Sequence, residues 1–229
     1  MKKLTSILVP FAMFLVQSMA AQQAAAPVDR PPEPNMVFDD DGGKVQIVPA
    51  DLAASPQKTF HGGAVMKSAQ QVSIFLGSGW ADAQVGSRKP SLADVTAATG
   101  DLPFAEVRSR NVRVLRAAPH VEDFGNLGSR PLNDLDIQRK LSQMLESKAI
   151  PAPTAATIYV VFLAPEASST LGGHSAGADY AAYHNVVNLE AGEIRYVVVP
   201  FHQDAQKHAA ATARAFAETA LNPNGQGWF

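Results

Sequence analysis

Two stretches of this chain are apolar without alternation. "TIYVVFLAP" and "GEIRYVVVPF" are each bounded by turn residues. Runs of that length read as strands buried on both faces, with residues 158–163 and 196–199 at their centres. A third strand is expected over 71–76, where β-branched and aromatic residues precede "GSGW". "NVRVLRAA" alternates apolar and polar positions and predicts a fourth. Helical spacing appears elsewhere. Leu135, Ile137, Leu141, Met144 and Leu145 form one stripe of a helix capped by Asn133 or Asp134, running to about Lys148 and stopped by Pro151. Ser91, with Asp94 three residues on and Gly100 beyond, brackets a short helix. An alanine-rich helix is expected from about Asp204 to Leu221. "ADYAAYHN" has only weak helical periodicity. Strands and helices are interspersed and no fixed period recurs, which predicts one α/β domain with a mixed sheet packed by helices.

The N-terminus changes this picture by adding a segment outside the fold. Lys2 and Lys3 precede an apolar stretch from Leu4 to Leu15, and Ser18-Met19-Ala20 places small residues where signal peptidase accepts them. The stretch is short against the roughly 20 apolar residues of a membrane span. Residues 1–20 are therefore expected to be a cleaved export signal. The mature protein would be periplasmic or secreted, with no transmembrane anchor. Residues 21–58 are expected to form a flexible segment. Its first part, "AQQAAAPVDRPPEP", offers little apolar surface to offset ordering entropy, and Asp39-Asp40-Asp41 with Gly42-Gly43 reads as a solvated turn. The globular domain is expected over 59–229.

Composition sets limits on the partners. Of 19 basic side chains, signal removal takes Lys2 and Lys3, leaving 17 against 21 acidic ones. A net negative chain does not suit nucleic acid, which requires a basic face. There are no cysteines, so an exported domain of this size must be held by its core.

Candidate chemistry is sparse. Gly173-His174-Ser175-Ala176-Gly177 matches the nucleophile-elbow pattern, making Ser175 a candidate nucleophile. The pattern requires a strand-to-helix turn, and here "PEASST" precedes it. His174, His184, His202 and His208 crowd one third of the chain, yet none has a histidine partner three or four residues away, as a helical zinc pair requires.

An ordered series of segments carries more information. "FHGGAVM", "VSIFLGSGW", "LNDLDIQRKLSQMLESKAIPAPTAATIYVVFLAP", "ADYAAYHNVV", "IRYVVVPF" and "AFAETALNPNGQGWF" follow one another from about residue 61 to the C-terminus. In that order they resemble the secreted exordium, or phosphate-induced protein, family and its bacterial relatives. The resemblance implies an exordium-like or zincin-like fold. In many bacterial relatives the terminal helix carries His-Glu-x-x-Glu, which looks like a zinc site with a catalytic glutamate. At the corresponding positions this chain has Arg214, Ala215 and Glu218, with Asn222 for the aspartate before Pro223. A guanidinium stays protonated and does not ligate a cation, and alanine is no base. The resemblance therefore implies an exported, non-catalytic binding or cell-envelope module without cofactor or metal, whose envelope or extracellular ligand is unidentified. The alternative is a zinc-dependent hydrolase or peptidase with a rearranged site, drawing on His184, His202 or His208 with Glu218, and on Ser175.

Overall fold

The apolar run "TIYVVFL" becomes β6, Thr157–Leu163, and all seven of its residues are buried in the computed structural model. This model describes residues 35–40, 42–53, 62–90, 107, 109–123, 125 and 127–225. The expected export signal, the helix opened by Ser91 and Trp228 of the closing "NPNGQGWF" segment lie outside them.

Strand β6 is central because both its edges are taken. β10, Gly192–Val199, pairs parallel to one edge, with Val198 opposite Val161. β3, Ser68–Leu76, pairs parallel to the other, with Ile74 opposite Val161. Beyond β3 lie the short parallel strands β4, Arg113–Val114, and β5, Val121–Asp123. On the far side, β9, Tyr180–Leu189, runs antiparallel to β10, followed by β2, Lys44–Pro49, and β1, Met36–Phe38. The eight-stranded sheet is therefore mixed, as its sequence pattern predicts. A separate hairpin pairs β7, Thr170–Leu171, with β8, His174–Ser175.

Among the described residues, three α-helices accompany the strands. The four-residue α1, Ala83–Gly86, follows a 3-10 turn at Ser78–Ala81. α2, Asp134–Glu146, begins at an Asn133 capping box closed by Asp136, and buries Ile137, Leu141 and Met144 against one face of the sheet. α3, Ala205–Leu221, is capped by the Asp204 side chain and covers the other face. Its buried Ala211, Ala213, Ala215 and Phe216 pack in one cluster with Ala181 and Ala182 of β9 and Val197 of β10. Short side chains on both surfaces let helix and sheet approach closely.

The boundary expected near residue 59 is corrected by β1 and β2. Val37, Val45, Ile47 and Val48 are buried, and β2 adds to the edge of β9 with Gln46 opposite His184. Part of the segment expected to be flexible thus belongs to the sheet, and the described residues fall in one unit. The physical reason is the short apolar stretch directly after the Asp-Gly turn: Val45, Gln46, Ile47 and Val48 are all buried in β2. That turn is ordered by the Gly43 amide, which donates to Asp39 Oδ1 at 2.6 Å. "NVRVLRAA" forms a strand over only two residues.

Candidate functional site

Helix α3 brings the residues of the family-like position to one place. Arg214 and Glu218 are one helical turn apart, and Arg214 Nε donates to Glu218 Oε1 at 3.0 Å. Arg214 Nη1 also donates to the Leu52 carbonyl at 3.1 Å, joining the helix to the segment just after β2. The second carboxylate oxygen of Glu218 lies 3.6 Å from His184 Nε2, which reaches it from β9. Both side chains are mostly covered, with 5% of His184 and 15% of Glu218 exposed. Asn222 is the buried C-terminal cap of α3, and with Gln46, His184, Asn185 and Asn224 it lines a cleft of about 110 Å³. Ala215 is fully buried among apolar neighbours, so the position that the resemblance assigns to a catalytic glutamate is part of the core.

The other sequence candidates lie elsewhere. Ser175 sits in the β7–β8 hairpin, where Gly172 and Gly173 form a two-residue turn with φ of 51° and 88°. A side chain on Gly172 would collide with the Phe38 carbonyl oxygen, so this glycine is required for contact with β1. "GGHSAG" is therefore a hairpin turn rather than a nucleophile elbow. Ser175 is exposed, and its amide donates to Asp179 Oδ2 at 2.7 Å. Leu171 at the base of the hairpin packs on the α2 side, away from Glu218 on α3.

His202 and His208 form a second pair at the start of α3, their ring centroids 5.7 Å apart. His208 and Glu218 are ten residues apart on the helix, about 15 Å along its axis, so the structure does not combine them. His202 Nε2 is 2.7 Å from the Ala181 carbonyl oxygen. His208 packs against Trp80, Phe162 and Phe201. Burial, aided by nearby His202 and Arg88, pushes its pKa down from 6.5 to about 3. A histidine in the unfolded chain takes its proton near 6.5, whereas the folded one does so only near 3. Stability from this group is therefore complete above pH 6.5 and declines as pH falls towards 3, by on the order of 1.4 kcal/mol per pH unit. Urea unfolding between pH 7 and 4 should show His208→Gln losing about one proton's worth of this slope; identical slopes would contradict the burial argument.

A third cluster carries no signal that sequence spacing reveals. Asp134, the first residue of α2, is fully buried beneath the sheet. Its Oδ2 accepts from Tyr196 Oη at 2.7 Å, Gln138 Nε2 at 2.8 Å and Asn185 Nδ2 at 2.9 Å. Burial, followed by the neighbouring carboxylate, pushes the Tyr183 and Tyr196 hydroxyls well above their usual pKa. The network fixes α2 to β9 and β10.

A zinc ion does not fit this arrangement. A zinc centre needs about three protein ligands and an open position. Here Arg214 brings a permanent positive charge to the carboxylate a metal would use. Among the described residues, no group of three or more His, Cys, Asp or Glu side chains could hold a metal ion. Among them, too, no helix is long and apolar enough to cross a membrane. Comparisons with protein-family models, curated proteins and solved structures find no match.

Proposed function

We propose that the protein is an exported binding or cell-envelope module of exordium-like type, in which a zincin-like site has been closed by an internal cation. One observation carries this reading: Glu218 is shared between the Arg214 guanidinium and the His184 imidazole. In a zinc hydrolase the carboxylate and histidine would converge on a metal, and a free base would take a proton from bound water. In this chain the guanidinium satisfies the carboxylate, and Ala215 supplies no base. The order of segments from about residue 61 to the C-terminus supports the family assignment. The net negative charge of the mature chain supports a partner other than nucleic acid.

The second reading, a metal-dependent hydrolase with a rearranged site, draws on the same His184–Glu218 approach of 3.6 Å. Elemental analysis and a peptide-mixture assay, with and without chelator, separate the two. The closed site should retain no stoichiometric zinc after dialysis and show no chelator-sensitive cleavage. Loss of a base alone removes on the order of 10²–10⁴ in rate, before any loss of ligand is counted. Zinc-dependent cleavage abolished by Glu218→Ala would establish the second reading instead.

A further inference from the structure

Beyond β3 the chain enters a small lobe, residues 78–86, made of the 3-10 turn and α1. Trp80 is its one buried side chain, and α1 contributes none. The lobe is thus seated mainly through a single plug. Beneath that plug lies the buried His208. The two rings stack with centroids 6.4 Å apart, and Phe162 and Phe201 flank the imidazole edge-on at 5.6 and 6.0 Å. We propose that the lobe is an acid-released plug, in which a proton on His208 drives Trp80 out of this aromatic box while the sheet stays folded.

Three features make the opening local. The first is that a proton on His208 finds no acceptor. Its Nε2 is buried without a hydrogen-bond partner among the described residues. β6 and the lobe face it with the rings of Phe162 and Trp80, and Asp82 of the lobe is turned to the amides of Gln84 and Val85. Arg88, just past α1, lies over Phe201 and donates to the Gln203 carbonyl. His202 stands 5.7 Å away with its Nε2 on the Ala181 carbonyl. Lys207 of α3 adds a further cation, and the nearby Asp204 carboxylate accepts from the Gln206 and Lys207 amides. A buried, unpaired charge among cations and apolar rings is relieved by admitting water. The second feature is depth. Phe162 belongs to the central strand and His208 to a helix covering the sheet, so the lobe is the wall that can yield. The third is that another anchor weakens in the same direction. Glu166 accepts from the Gly79 amide at 2.8 Å and the Ser78 hydroxyl at 3.1 Å. Burial works to raise its pKa, but these donors prevail and hold it below 4.5, so this anchor is lost as pH falls through that lowered value. Opening returns His208 from about 3 towards 6.5, so the ratio of open to closed lobe rises about tenfold for each pH unit between those values.

The test is an acid titration of the full mature chain carrying Trp228→Phe, so that emission reports Trp80, the other of the two tryptophans. Fluorescence follows the plug and far-ultraviolet circular dichroism follows the sheet. Trp80 emission should shift to the red, and its quenching by acrylamide increase, at a pH at least about half a unit above the loss of dichroism, a threefold step for one linked proton. Returning to pH 7 should reverse both. His208→Gln should move the emission change towards lower pH, whereas His174→Gln, on the exposed hairpin, should not. Proton magnetic resonance of the His208 ring should titrate together with the emission, a measurement that needs no substitution at His208. The proposal is overturned if emission and dichroism change at the same pH, if His208→Gln leaves the emission change where it was, or if His208 takes up its proton while Trp80 stays shielded from acrylamide.

Discussion

Replacing Val161 by Asp should abolish folding. Val161 is fully buried at the middle of β6, with Val198 on one side, Ile74 on the other and the α2 layer above it. Its neighbours in that cluster are aliphatic and aromatic side chains such as Ile74, Leu141 and Val198, which offer a carboxylate no counter-charge. An unpaired buried charge costs several kcal/mol even after it takes up a proton, a large share of the roughly 5–15 kcal/mol by which domains of this kind are stable. The Val161→Asp protein should be insoluble or lack a cooperative thermal transition, whereas Val161→Ala should melt cooperatively at a lower temperature. A soluble Val161→Asp chain melting near the unmodified protein would place β6 at a surface.

The second large effect is expected at Asp134. Asp134→Ala removes the common acceptor of Tyr196, Gln138 and Asn185 and leaves three donors in a covered space. Each unsatisfied buried group costs about 1–3 kcal/mol, and the carboxylate's favourable place at the N-terminus of α2 is lost as well. Partial relaxation keeps the total at about 3–5 kcal/mol, the range for breaking one side of a buried charged network. Tyr196→Phe alone should cost less. The double variant should be less destabilised than the sum, because the two changes remove one shared bond. Chemical denaturation of the four proteins measures that coupling. If Asp134→Ala stays within about 0.5 kcal/mol of the unmodified protein, an ordinary surface effect, the carboxylate is not the anchor of α2.

The contrast between these residues explains what the sequence made legible. Val161 was readable because a strand buried on both faces must be apolar at every position, and few other structures need such a run. α2 was readable because a capping box and a 3.6-residue stripe coincide. The Arg214–Glu218 pair followed from helical spacing alone. Asp134 was hidden, since an acid beside Asn133 looks like part of a cap, and only the sheet beneath it decides that it is buried. β9 was hidden for a related reason. Ala181 and Ala182 weaken its strand signal because an alanine-rich helix packs above them, and that requirement comes from a segment thirty residues further on. His184 reaches Glu218 only once β9 and α3 are stacked, so no local spacing announces the contact. The Ser175 motif misled in the opposite direction. Its glycines are present for a tight turn and for contact with Phe38, and the five-residue string fits an elbow by coincidence.

The position of β2 has a consequence for the time order of assembly. Its partner β9 lies about 140 positions later in the chain. A polypeptide emerging N-terminus first, from a ribosome or across a membrane, must hold Val45, Ile47 and Val48 exposed until His184 and its neighbours have appeared. The parallel pair β3–β6 likewise waits for a crossover through α2. Such distant pairings slow folding and prolong the exposure of unpaired strands. The domain therefore completes its sheet late, when nearly the whole chain is present, and remains threadable until then. If the chain is exported unfolded, as proposed above, the delay postpones closure of the sheet until translocation is almost complete.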